Sequence, residues 1–164
     1  MNKSKLLLVL FFVLSFLAKN AYALCLGLGC SCSIATNSFN FGAYNPLSPT
    51  AKDLSGSLSV TCGSLLASVS VAYTVSLSTG NSGTYTQRSM LNGANILNYN
   101  FYTDAGRTTI WGNGGGGTSM ISNSYILGLL FPRTDNFTIY GRIPALQNVP
   151  IGAYTDNIVA TVTF

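Results

Sequence analysis

Apolar residues recur at every second position through most of this chain, and that period restricts its fold more than any other feature. Val69, Val71, Tyr73, Val75 and Leu77 alternate with Ser70, Ala72, Thr74, Ser76 and Ser78. An antiparallel strand with one buried and one solvated face has this pattern. Runs of similar character fall near residues 31–41, 57–62, 96–102, 125–131, 137–143 and 157–164. Turn-forming sequences separate them, among them Asn45-Pro46, Ser48-Pro49, Asn81-Ser82-Gly83 and Asn92-Gly93. No helical period is visible after residue 23. About seven strands at this spacing predict an all-β, immunoglobulin-like antiparallel β-sandwich.

The last run places Ile158, Ala160, Val162 and Phe164 on one face of a strand, at the point where a sandwich of this type is expected to add one more. The sandwich is therefore expected to be incomplete, lacking its final strand. A row of unpaired backbone groups would then lie beside an apolar groove. Such an edge accepts an added strand, with main-chain hydrogen bonds giving affinity and alternate side chains filling pockets. The four residues are expected to line this strand-acceptor groove.

Residues 1–23 read as a signal peptide outside the fold. Lys3 and Lys5 precede the apolar core LLLVLFFVLSFLA, and Ala21-Tyr22-Ala23 has the small-residue pattern of a cleavage site. The core is short for a membrane span, so 24–164 is expected to be one exported domain without a span. Leu24 stands before Cys25 where a lipid-anchor signal needs a small residue. Lys3, Lys5 and Lys19 leave with the leader, and the five remaining basic residues face four Asp, a net charge of +1. That balance offers no basic patch for nucleic-acid phosphates.

The chain has no histidine and no glutamate. Ser-His-Asp and Cys-His catalysis are thereby excluded, and metal ligation is poor. Asp104 and Asp156 sit in turn-like sequence, where loop capping is the expected role. No enzymatic activity and no cofactor are expected.

Export would place Cys25, Cys30, Cys32 and Cys62 where thiols oxidise. Four cysteines allow three pairings. Cys32 with Cys62 is favoured because both sit in strand-like runs, and closing that loop stabilises by roughly 3 to 4 kcal/mol. A thiolate metal site is the weaker reading, since the sulfur-rich stretch lacks paired CxxC spacing. Leu24, Leu26 and Leu28 alternate with Cys30 in phase, the pattern of a short strand. Extended, that stretch would separate Cys25 from Cys30 by about 17 Å, whereas a disulfide needs Cα atoms within about 7 Å. Strand and bridge exclude each other, and Gly27 and Gly29 favour the turn that a bridge needs.

The run 125–131, with Trp111, invites two readings. Trp111, Tyr125, Leu127 and Leu129 would form an adhesive patch if exposed. Apolar runs of this kind are more often buried strands.

Phe41-Gly42-Ala43-Tyr44-Asn45-Pro46, Val60-Thr61-Cys62, Arg88-Ser89-Met90, Asp104-Ala105-Gly106-Arg107-Thr108, Trp111-Gly112-Asn113-Gly114, Tyr140-Gly141-Arg142-Ile143-Pro144 and Gly152-Ala153-Tyr154-Thr155-Asp156 follow one another in the chain. In this order they closely resemble the spore coat U domain family, over essentially everything from Cys32 onward. The family is similar to subunits of archaic (Csu-type) chaperone-usher pili. The resemblance implies a secreted, non-enzymatic subunit lacking its last strand. Its implied partners are a periplasmic chaperone, an outer-membrane usher and other pilus subunits, in a homo-polymer or hetero-polymer. It would cross the periplasm to a bacterial surface or fimbrium and support adhesion or biofilm formation. Shaft subunits of such pili carry an extended donor segment before the first disulfide cysteine. Here only 24–31 precede Cys32, which points to a tip, minor or stand-alone member. The alternative is a stand-alone adhesin or binding module acting through apolar loops.

Overall fold

The computed structural model describes residues 24–25, 29–65, 68–128 and 131–164. The leader assigned to 1–23 lies outside them. In chain order the strands are β1 (Leu24–Cys25), β2 (Ser31–Thr36), β3 (Lys52–Gly63), β4 (Val69–Leu77), β5 (Arg88–Asn92), β6 (Asn95–Tyr102), β7 (Ile121–Leu127), β8 (Arg133–Ile143) and β9 (Ala160–Thr163). One sheet has the order β2-β3-β8-β6-β5. The other is built on β4, with β7 on one edge and β1 and β9 on the opposite edge. Every pairing between strands is antiparallel. The two sheets form the expected sandwich, and a 3-10 turn at Gly80–Ser82 is the one helical piece among the described residues.

Period two builds the core. Inward residues of β4 (Val69, Val71, Tyr73, Val75, Leu77) meet Leu58, Val60 and Cys62 of β3, Leu97, Tyr99 and Phe101 of β6, and Ile139 and Ile143 of β8. At roughly 25 cal/mol per Å² of apolar surface, each such side chain contributes about 1.5 to 3 kcal/mol over leaving it exposed. Trp111 fills the centre and donates its indole N–H to Val75 O at 2.9 Å.

Arg88 is also fully buried, and backbone carbonyls and an amide receive its guanidinium. It donates to Ser78 O (2.9 and 2.8 Å), Trp111 O (2.7 Å) and Asn100 Oδ1 (2.6 Å). Asn100 in turn donates to Tyr85 O and Thr86 O. One buried cation thus ties the end of β4 to β5, β6 and two loops.

Several elements differ from the sequence reading, β3 and β8 among them, which start at Lys52 and Arg133 and not at 57 and 137. The run 31–41 pairs only through Thr36, because the chain then turns inward to bury Phe41 and half-bury Phe39. The strand expected at 125–131 is Ile121–Leu127. The last strand begins at Ala160 and not at 157, since the residues before it are held by loops. β5 lacked a clear apolar alternation, and its first residue is the buried Arg88.

Candidate functional site

β9 pairs with β4 through Ala160–Leu77, Thr161–Ser76, Val162–Val75 and Thr163–Thr74. Among the described residues nothing pairs with its other edge. Across the opening, residues 37–43 continue beyond β2 and, among the described residues, make no backbone hydrogen bond to another segment's main chain. A groove of about 1020 Å³ lies between these two edges. Its floor is apolar: Leu77, Met90, Leu97, Tyr99, Phe101, Ile139 and Ile143. One wall is 36–44, and the other is 149–160.

Both walls are set by local chemistry. The Phe39 ring lies edge-on to Phe41 (4.9 Å) and Phe101 (4.8 Å). It fits there because Gly56 and Gly141 present no Cβ. Added Cβ atoms would meet the ring at 2.6 and 2.7 Å. Tyr44 fastens the wall below, donating to Pro144 O and accepting from Gln147 N–H, both at 2.9 Å. On the far wall, Thr155 exchanges backbone hydrogen bonds with Leu91 at 2.8 and 3.1 Å. Asp156 accepts from Asn81 N–H and the Tyr99 hydroxyl, each at 2.7 Å. Burial, with the carboxylate of Asp156 beside it, pushes the Tyr99 hydroxyl well above its usual pKa. Asp156 is therefore a loop cap, as is Asp104, which accepts from Thr108 and Thr109 N–H.

The four residues expected to line the groove divide. Ile158 and Ala160 line it. Val162 is half-buried against the core outside the groove, and Phe164, 40% exposed, also lies outside it. β9 also comes close to β2, with Cα atoms within 8 Å. A strand lying between two others needs about 9.6 Å, twice the inter-strand spacing. The groove therefore lies along the Ile158 and Ala160 end of the edge. Sequence reasoning missed Phe39, Phe41, Tyr99 and Phe101 as groove residues. Their signal was the pair of strand-interior glycines, which marks close approach of another group.

The adhesive patch does not form as expected. Trp111 is 0% and Leu127 2% exposed, Tyr125 is half-buried against Tyr73, and Leu129 lies outside the described residues. Alternation explains it: Tyr125 and Leu127 face inward, so exposure falls on Ile126 between them, at 71%. Leu65 and Phe131 are also exposed at this end of the sandwich, on loops that meet where Gly63 faces Pro132. Cys32 is bridged to Cys62 between β2 and β3 (Cα–Cα 4.1 Å), and Cys25 to Cys30 (Cα–Cα 5.9 Å).

Fold and groove define an immunoglobulin-like β-sandwich with an apolar groove beside the edge of β9. The chain belongs to the Spore Coat Protein U domain family, which matches residues 21–161. It is 36% identical over 148 residues to Protein U of Myxococcus xanthus, covering 83% of this chain and 79% of that protein. Its fold matches, with a TM-score of 0.56 and 24% identity, a chain in the crystal structure of the CsuC–CsuE chaperone–tip adhesion subunit pre-assembly complex from archaic chaperone-usher Csu pili of Acinetobacter baumannii. That match covers 82% of this chain, which spans 40% of the other chain's length. No helix among the described residues is long and apolar enough to cross a membrane.

Proposed function

We propose that the protein is a secreted, non-enzymatic structural subunit of a surface pilus or coat, completed by a strand that another chain lays into the groove. The carrying observation is the pair of unpaired backbone edges, β9 and 37–43, facing each other over an apolar floor. A strand between them would satisfy both edges and cover the aromatic floor at once. Left open, the same edge is an aggregation hazard. A periplasmic chaperone would cover it first, and a pilus subunit delivered at an outer-membrane usher would replace the chaperone strand. The leader at 1–23 supplies export, and N-terminal sequencing of the secreted protein is expected to begin at Leu24.

Co-expression with the cognate chaperone tests this reading. Soluble yield is expected to rise several-fold, and Ala160→Arg, which puts a long cation into the groove, is expected to abolish the rise. A chain that is stable, monomeric and fully soluble alone would contradict it.

Adhesion is supported by a separate observation, the exposed Leu65, Ile126 and Phe131 at one end of the sandwich. Ile126→Asp with Phe131→Asp is expected to leave the melting temperature unchanged and to reduce attachment to hydrophobic surfaces. Unchanged attachment would remove this reading.

A further inference from the structure

β1 and β9 occupy the same edge of β4, because β7 takes the other edge along residues 69–75. Thr163 of β9 stands opposite Thr74, and Leu24 of β1 stands opposite Ala72. Only Tyr73 separates the two pairings, and Phe164 is the residue that follows Thr163. Both segments run antiparallel to β4, so β1 continues the line and direction of β9 as one edge strand with a covalent gap. Immediately after β1 a bridge holds Cys25 and Cys30 with Cα atoms 5.9 Å apart. Gly29 adopts the left-handed region (φ 71°) and sits on Leu65, where a Cβ would come within 2.7 Å.

We propose that this protein accepts strands but does not donate one to its own copies, so the strand that fills its groove comes from a different protein. The inference rests on the strand-acceptor reading above. Donation by residues 24–30 would require β1 to leave β4 and the bridged stretch to open from 5.9 Å to about 17 Å. The intact disulfide forbids the second step. The residues before Leu24 offer no substitute pattern: LLLVLFFVLSFLA is continuously apolar, without the alternation that sends one face into a groove and the other to solvent. The donor that fits is an extended segment of another chain, bulky and apolar at alternate residues and uncharged on that face. It must rest on the rings of Phe39, Tyr99 and Phe101. Copies of this chain would then terminate a row of other subunits.

The test uses the full mature protein, non-reduced, purified as its complex with the cognate periplasmic chaperone. Hydrogen exchange at β9 is read in the complex, and then light scattering and β9 exchange are read after the chaperone is removed. The expected result is β9 protection by the chaperone, followed on its removal by loss of that protection and no ordered polymer. Self-polymers with protected β9 amides and an intact Cys25–Cys30 bridge, established by peptide mapping, would overturn this inference alone. Failure of the chaperone to protect β9 would overturn the acceptor reading as well, so the two failures are distinguishable.

Discussion

Arg88 is held in the core by two carbonyls and one amide oxygen, and burial lowers its pKa from the usual guanidinium value. Arg88→Leu would remove the guanidinium donors from Ser78 O and Trp111 O and leave Asn100 Oδ1 with the Phe101 N–H alone. An unsatisfied buried acceptor costs about 1 to 3 kcal/mol, so the variant is expected to lose roughly 3 to 5 kcal/mol, read from the urea midpoint. An unshifted midpoint would show that these bonds contribute nothing. At the opposite extreme of exposure, Asp53 is paired with Arg142 through two hydrogen bonds at 2.7 and 2.8 Å, with Arg107 at 3.3 Å. The hydrogen bond to Arg142 holds its carboxyl below the usual aspartate pKa. A depressed folded-state pKa contributes stability above the unfolded value, near 3.9, and loses it as pH falls through the folded value. The pair is partly solvated, so the contribution is below about 1 kcal/mol. Asp53→Asn should flatten the acid limb of stability, as pH falls below about 4, by that amount. Tyr73 and Tyr99 set the alkaline limb. Burial, with Asp135 and Asp156 beside them, raises both hydroxyl pKa values. The folded state therefore holds those protons longer than the unfolded chain, and stability should fall as pH rises past about 10. A melting temperature unchanged between pH 9 and 11 would contradict this.

Among the elements, the strands that alternate cleanly were legible in the sequence. β4 has the bounds its pattern predicts, and β6 and β8 fall where expected with modest extensions. Alternation reports which face is buried but not what the backbone pairs with, and this limits the reading of 31–41. Phe39 falls out of phase with the inward Cys32 and Ile34 of β2 and packs on Phe101 instead. Two glycines decide that outcome. Gly141→Val would collide with Phe39 and Phe41 and should destabilise by roughly 1 to 3 kcal/mol through overpacking. It should also lower the near-UV circular dichroism of the aromatic cluster. A variant with wild-type stability and aromatic signal would mean that Phe39 does not depend on the space left by these glycines. The role of Trp111 was illegible for a related reason. It lies between Ile110 and Gly112 in a loop, without a strand pattern, and its complete burial and bond to Val75 O place it in the core. Cys32 and Cys62 stand directly opposite each other in the β2–β3 register, so both the strand runs and the pairing were readable from sequence. Cys32→Ala/Cys62→Ala should lower stability by roughly 3 to 4 kcal/mol.

At the scale of the whole molecule, an apolar groove near the last strand was legible, but its extent was not. Sequence placed the groove evenly along Ile158, Ala160, Val162 and Phe164. Of these four residues the structure places only Ile158 and Ala160 on it, and β2 comes within 8 Å of β9. The far wall comes from residues more than 100 positions earlier, Phe39 and Phe41, and a single-strand pattern carries no information about such a partner. The central claim is that β9 and 37–43 are completed by a strand from another chain. Amide hydrogen exchange on the mature protein, with and without its chaperone, measures this most directly. The account predicts that the outer amides of β9 and those of 37–43 exchange rapidly in the free chain and become protected together in the complex. Amides at both edges that are already protected in a stable free monomer, and unchanged by the chaperone, would contradict it.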